Sequence, residues 1–314
     1  MTIFETTIPV SLVVLLGSVA LDLLLGEPPE LLHPVVWIGR LIGVLKRRFE
    51  RFERKKLFGT LLVLLVVISA GGAGYLVVRF AKALWWPLGL VAGIYLVKAT
   101  FSIRSLMGTT RSIGRTIEEN PEDARDQLLA LVGRDRSDLS RAEMRSAAIE
   151  SLFENLVDSI VSPLFYFYLG TLINLETGVA MALGFKALNT VDSMVGYRTE
   201  DLRDFGSPGA RLDDLFNWIP ARLSPLLISA ASFSSLPVRS ALREGNNTPS
   251  PNSGWPMSAG SGALKVKLAK RSGYVLGSEF ELPEPGDVTR AVPLVGRSIG
   301  VYLLIVVAVV WCSI

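Results

Sequence analysis

Two groups of polar residues in this chain have the types and spacing to do chemistry. The first is Glu150-Ser151-Leu-Phe-Glu154-Asn155-Leu-Val-Asp158, three carboxylates at i, i+4 and i+8 with a hydroxyl and an amide beside them. The second runs from Lys186 through Asn189, Asp192 and Ser193 to Arg211, Asp213, Asp214, Asn217 and Arg222. Carboxylates so arranged can hold a divalent cation, attract an ammonium group, or take a proton as general base. Lysine, arginine and asparagine among them suit phosphate or carboxylate oxygens. On a helix the first three acids repel one another by roughly a few tenths of a kcal/mol per pair, and a cation or an amine relieves that repulsion. Taken singly, each group also has a bland reading: a solvated face, interhelical hydrogen bonds, or local i,i+3 and i,i+4 pairing. Asn252 and Trp255 add an amide and a flat ring, the ring being either a membrane-interface anchor or a stacking wall. His33 precedes a proline, which suits a turn residue, but it is the only histidine and belongs to the type that titrates near neutrality.

The elements that must position these groups belong to a membrane. Half of the 314 residues are hydrophobic, and mean hydropathy is +0.42. Apolar segments at about 8–25, 57–78, 84–101 and 298–314 are long enough for spanning helices. The segment 160–185 carries only Glu176 as a charge, and Gly170 with Asn174-Leu-Glu176 near its middle predicts a hairpin of two short helices. Its second helix continues past Lys186 and places Asn189, Asp192, Ser193 and Gly196 on one side. The segment 219–236 is interrupted by Pro220 and Pro225 and reads as re-entrant or interfacial. The expected fold class is therefore an all-α, multi-pass helical membrane protein forming one integral-membrane domain. Residues 102–158, 186–218 and 237–296 are its amphipathic polar segments. Ionisable groups at a membrane edge are costly, so the two clusters call for a functional reading.

Charge distribution sets the orientation. Lys46–Lys56 holds seven Lys/Arg against two acids and 102–158 holds eight arginines, which the positive-inside rule assigns to the cytoplasm. The first apolar run lacks a basic leader and a small-residue cleavage site, so it reads as a retained helix with the N-terminus outside. A net charge of +3 does not argue for nucleic acid. One cysteine, Cys312, and one histidine exclude a disulfide within the chain, a thiolate cluster and a multi-histidine zinc site. Any metal must sit on oxygen, which favours Mg²⁺. Gly71, Gly72 and Gly74 lie in an apolar helix with no Lys-Ser/Thr following, so close helix packing is their expected use.

Local signals complete the outline. Ser140-Arg-Ala-Glu143 predicts a capping box. In the helix it opens, Ile149, Leu152, Phe153, Leu156, Val157 and Ile160 share one face and Glu150, Ser151, Glu154, Asn155 and Asp158 the other. Ser207-Pro208 reads as an N-cap with proline at the first helical position, opening a helix that carries Asp213, Asp214 and Asn217 and closes at Pro220. Pro249 to Pro256 reads as a rigid turn before a small-residue run, 258–263.

Several stretches together resemble one known family. They are Asp22…Gly26-Glu-Pro28…His33-Pro34-Val…Ile38-Gly39, Val132-Gly-Arg134-Asp135, Glu150-Ser151…Glu154-Asn155…Asp158 and Pro163-Leu-Phe-Tyr. Lys186-Ala-Leu-Asn189-Thr-Val-Asp192-Ser193-Met-Val-Gly196-Tyr197, Phe205-Gly206…Ala210-Arg211-Leu-Asp213-Asp214…Asn217-Trp-Ile-Pro220-Ala-Arg222-Leu and Asn252-Ser-Gly254-Trp255-Pro256…Gly262-Ala-Leu264 follow in order. The whole resembles adenosylcobinamide-phosphate synthase, the CobD/CbiB family of cobalamin biosynthesis. Glu27, where aspartate is usual, and Gly260-Ser261 depart from its pattern. The resemblance implies a cell-membrane ligase with a cytoplasmic active face. It would join the free propionate of adenosylcobyric acid to aminopropanol or its O-phosphate, with ATP and Mg²⁺. On that reading Asp192, Asp213 and Asp214 hold Mg²⁺, while Arg211, Arg222 and Lys186 bind phosphate oxygens. Asn189, Ser193, Asn217, Asn252 and Trp255 contact substrate, and Glu150, Glu154, Asp158 and His33 are candidate acid–base groups. Association with other cobalamin-assembly enzymes is compatible with it. A Mg²⁺-dependent prenyltransferase lacks its usual tight aspartate repeats here, and an ion-coupled transporter lacks an inverted repeat.

Overall fold

The computed structural model describes residues 3–132, 139–196, 203–270 and 273–312. The Gly133–Asp135 part of the predicted motif and Tyr197 lie outside them. In chain order the helices are α1 (Ile3–Leu25), α2 (Pro34–Phe49), α3 (Lys55–Leu84), α4 (Trp86–Lys98), α5 (Ile103–Glu119), α6 (Pro121–Val132) and α7 (Arg141–Leu156). A π-helical turn, Val157–Val161, leads to α8 (Ser162–Thr171), α9 (Leu175–Val195), α10 (Arg203–Phe216), α11 (Trp218–Ser232), α12 (Leu236–Glu244) and α13 (Gly254–Leu264). A two-stranded antiparallel hairpin, β1 (Leu268–Ala269) and β2 (Val275–Leu276), precedes α14 (Asp287–Cys312).

The protein is an all-α membrane protein. Among the described residues, three stretches are long and apolar enough to cross a bilayer: Lys55–Leu84, Trp86–Glu119 and Asp287–Trp311. At 1.5 Å per residue, α8 reaches only about 15 Å and α11 about 22 Å, short of the roughly 30 Å hydrocarbon core. The chain divides into two compact units, residues 1–103, 162–216 and 306–314 in one and 104–161 with 217–305 in the other.

In the first unit α3 packs along α9, and glycine makes the approach possible. A Cβ on Gly71 would stand 3.0 Å from the Ala180 carbonyl, and one on Gly74 only 2.4 Å from Leu183. Gly71 and Gly74 are packing residues, as their apolar setting suggests, whereas Gly72, expected to pack with them, has nothing within 4 Å of where its Cβ would stand. The core beside them joins Ile38 and Ile42 of α2, Leu62, Val63 and Val66 of α3, and Ala187, Leu188 and Val191 of α9. Asn174 caps α9, its side chain accepting from the Thr177 N–H at 2.8 Å.

In the second unit α7 opens on the predicted capping box: the Ser140 N–H donates to Glu143 at 2.8 Å, and the Glu143 N–H donates back at 3.3 Å. From Ile149 to Ile160 the expected apolar face is buried, and Glu150 is the one member of the opposite face buried with it. Met144 to Glu150 is buried all round, with Leu152, Phe153 and Leu156. The reason is distant in sequence, since α13 and β1 both cover α7.

Three prolines also depart from expectation. Pro208 lies inside α10, which begins at Arg203 rather than after Ser207. Pro220 stands in the first turn of α11 instead of closing α10, and Pro225 lies within α11 without breaking it. A proline inside a helix leaves the carbonyl four residues back without its N–H. In both interior cases the preceding serine supplies the missing donor: Ser207 Oγ donates to the Asp204 carbonyl at 3.2 Å, and Ser224 Oγ to the Ala221 carbonyl at 2.8 Å.

Candidate active site

The sequence candidates fall into separate sets. Lys186, Asn189, Asp192, Ser193, Arg211, Asp213 and Asp214 belong to the first unit, as does His33; Glu150, Glu154, Asp158, Asn217, Arg222, Asn252 and Trp255 belong to the second.

In the first unit, α10 is clamped at its start by two close backbone approaches. A Cβ on Gly206 would lie 1.9 Å from the Val195 carbonyl, and one on Gly59 would lie 2.0 Å from the Phe205 carbonyl. That clamp brings α10 against α9, so Asn189 Nδ2 reaches Asp213 Oδ1 at 3.3 Å, with both residues buried. Asp192 is one turn beyond Asn189. Burial, and then the charge of Asp214, raise the Asp192 carboxyl from the ordinary range to about 6. Gly196 leaves room for that carboxylate, since a Cβ there would stand 2.0 Å from Asp192 Oδ1. Ser193 turns its hydroxyl back to the Asn189 carbonyl at 2.9 Å, and Arg211 is exposed. The arrangement is a partly buried set of carboxylates that repel one another, one of them poised to titrate near neutrality. It suits a cation. Among the described residues no three acidic, imidazole or thiol groups converge as a complete protein-only metal cage. Mg²⁺ does not need one, because it commonly takes one or two carboxylates with water and phosphate oxygens.

In the second unit, the Arg222 guanidinium lies between two indoles, 4.7 Å from the Trp218 ring and 4.8 Å from the Trp255 ring. It donates to Asn252 Oδ1 at 2.6 Å and to the Pro251 carbonyl at 3.1 Å, so the Asn252–Trp255 segment is tied to α11. Trp255 Nε1 is buried without a hydrogen-bond partner among the described residues. Asn217, immediately before α11, is buried. On the expected polar face of α7, Ser151, Glu154, Asn155 and Asp158 are exposed or half-buried and Glu150 is the exception. Glu150 is 7% exposed, accepting from the Tyr274 hydroxyl at 2.6 Å and from Ser146 Oγ at 2.7 Å. Ser146 in turn accepts from the Ala269 N–H at 2.9 Å, fastening the β-hairpin to α7. Glu154 is exposed, and Asp158 sits half-buried in the π-helical turn.

His33 is the N-cap of α2. Its Nδ1 accepts from the Val35 N–H at 3.2 Å, which leaves Nε2 to donate to Glu27 at 3.1 Å. The same Glu27 carboxylate lies 2.7 Å from Lys98 Nζ, and Lys98, 1% exposed, also lies 3.1 Å from fully buried Asp22. Asp22 Oδ2 accepts from the Ile103 N–H at 3.1 Å. Burial opposes ionisation of Glu27, but hydrogen bonds from His33 and Lys98 outweigh it and hold the carboxyl below its usual range. Sequence reasoning missed Glu27 and Lys98 as partners. The available signal was that Lys98 is the only charge in 84–101, and a lone lysine in an apolar stretch requires an acid.

The family model described as CobD/Cbib protein matches residues 15–296, a stretch that holds all these candidates. The chain belongs to the CobD/CbiB family. It is 45% identical over 296 residues to a probable cobalamin biosynthesis protein CobD of Methanothrix thermoacetophila, covering 91% of this chain and 92% of the relative. It is 40% identical to the cobalamin biosynthesis protein CobD of Geobacter metallireducens, covering 87% and 86%. The cobalamin biosynthesis protein CbiB of Salmonella choleraesuis is 35% identical, covering 86% and 85%. No solved structure matches. CobD/CbiB membership makes this a protein of cobalamin biosynthesis.

Proposed function

We propose that this CobD/CbiB chain joins the free propionate of adenosylcobyric acid to the amine of aminopropanol or its O-phosphate, at the cytoplasmic face of the cell membrane. Amide formation from a carboxylate and an amine in water is uphill, so the propionate is first activated. A carboxylate oxygen takes the γ-phosphoryl group of ATP, and ADP leaves. The amine then attacks the acyl carbon, phosphate departs with the bonding electrons, and a base takes the ammonium proton.

The observation that carries this reading is the α9–α10 carboxylate set within a chain matched to the family from residue 15 to 296. Asp192 and Asp214, with Asp213 beside Asn189, are the residues to hold Mg²⁺, which when bound neutralises phosphate oxygens. Lys186 and Arg211 bind phosphate oxygens by the electrostatic logic common to phosphoryl transfer. Glu154 or Asp158 is the base in this reading; Glu150, which accepts from Ser146 and Tyr274, is assigned a structural role. Arg222, Asn252 and Trp255 offer a flat, braced surface for substrate. The test is incubation of purified protein with adenosylcobyric acid, aminopropanol phosphate, ATP and Mg²⁺, with mass spectrometry of the corrinoid. The amide product is expected. Its absence from protein shown to be folded, with either amine, would remove the proposal.

A further inference from the structure

The exposed face of α2 carries Trp37, Arg40, Val44, Arg47 and Arg48. Beside it, α2, α3, α4 and α9 enclose an apolar cavity of about 230 Å³, lined by Trp37, Leu41, Ser69, Ala73, Val77 and Leu183 among others. The space exists because four of the five α3 residues that line it, Ser69, Ala70, Ala73 and Gly74, are small. The Trp37 ring is a fixed wall, its Nε1 donating to the Leu31 carbonyl at 3.0 Å.

The two helices run antiparallel. Phe49 meets Phe58 at one end, with ring centroids 5.5 Å apart, and Trp37 stands by Ala73 and Val77 at the other. The basic last turn of α2, Lys46, Arg47 and Arg48, therefore lies at one end of the pair and the cavity toward the other. Arg40 is between them. The cavity opens along α3, one of the candidate membrane spans, so hydrocarbon is the medium beside it. A polar solute gains nothing from such a lining, and water finds few partners there. An amphiphile with a negative head and a long apolar tail matches both ends at once.

We propose that this groove seats one acyl chain of an anionic phospholipid whose phosphate lies against Arg40 and the Lys46–Arg48 turn. The site is distinct from the carboxylates of α9 and α10, and its occupant is a lipid and not a reactant.

The test uses the full chain reconstituted in vesicles of phosphatidylcholine with phosphatidylglycerol, one or the other carrying brominated chains. Tryptophan quenching is measured, and W37F isolates the Trp37 contribution. Stronger quenching of Trp37 by brominated phosphatidylglycerol than by brominated phosphatidylcholine is expected. R40E should lower that preference at least about fivefold, the weight of losing one basic residue at an anionic surface. A73F fills the cavity and should strip co-purifying phosphatidylglycerol, with each excluded methylene weakening binding about fourfold. R40E alters an exposed residue and so keeps the test valid if A73F does not fold. Equal quenching by the two lipids, an unchanged preference in R40E, or folded A73F retaining lipid as the parent does would each overturn the proposal.

Discussion

The Asn189 side-chain amide reaches the Asp213 carboxylate at 3.3 Å, joining α9 to α10 at the point where the candidate carboxylates gather. One turn along α9, Asp192 feels the like charge of Asp214 and is itself partly buried. The site is therefore more comfortable with a cation than without one.

Asp192 carries the pH consequence. Its carboxyl titrates near 6 in the folded protein against 3.8 ordinarily, so the folded state holds the proton more tightly. Stability falls as pH rises from about 4 through about 6 and stays lower above that. Asp192→Asn should be more stable than the parent above pH 6 by about 1–2 kcal/mol, with the difference vanishing below pH 4. Thermal unfolding in detergent across that range reads it. Added Mg²⁺ should raise the parent's Tm at pH 8 more than at pH 5, and should do little for Asp192→Asn; amide formation should fall sharply in the variant.

Glu150 should behave as a structural acid. Tyr274→Phe removes one donor from a buried carboxylate and should cost about 1–3 kcal/mol in stability. Glu150→Gln, which keeps the shape, should retain most of the proposed amide-forming activity, whereas Glu154→Gln and Asp158→Asn are the variants to compare for loss of the base. A Glu150→Gln enzyme that folds normally but is inactive would return Glu150 to the chemistry.

Lys98 sits between Asp22 and Glu27 with almost no exposure. Lys98→Met leaves two acids without their cation and should destabilise by about 3–5 kcal/mol. Adding Asp22→Asn should recover part of that loss, so the double variant is less harmed than the sum of the singles. Because Glu27 is held below its usual range, its contribution is present above the ordinary carboxylate range and is lost as pH falls through its lowered value.

Ser224→Ala tests the serine that precedes an interior proline. It takes the hydroxyl donor from the carbonyl of Ala221, a fully buried residue, and should cost about 1 kcal/mol or more. Ser224→Thr keeps the hydroxyl and should be milder, read as Tm in the same preparation.

Much of this was legible in the residues themselves. The Ser140–Glu143 box, the break near Asn174 and the packing use of Gly71 and Gly74 follow from local chemistry and appear as expected. What was hidden depended on partners far along the chain. Periodicity on α7 assumed a solvated side, but the β-hairpin more than a hundred residues later covers Glu150. The prolines at 208 and 225 argued for helix ends because a missing N–H is normally decisive. A serine hydroxyl one residue earlier removes that argument, and nothing in helix propensity announces it.

The Asp22–Lys98 pair also constrains how the protein is made. The acid is synthesised roughly 75 residues before its lysine, which at about 5–20 residues per second is a delay on the order of 4–15 s. During that interval the end of α1 has no route into hydrocarbon that does not strand a carboxylate. Pairing with Lys98 once α4 emerges removes that cost, so the end of α1 reaches its final environment only when the lysine of α4 is there to meet it.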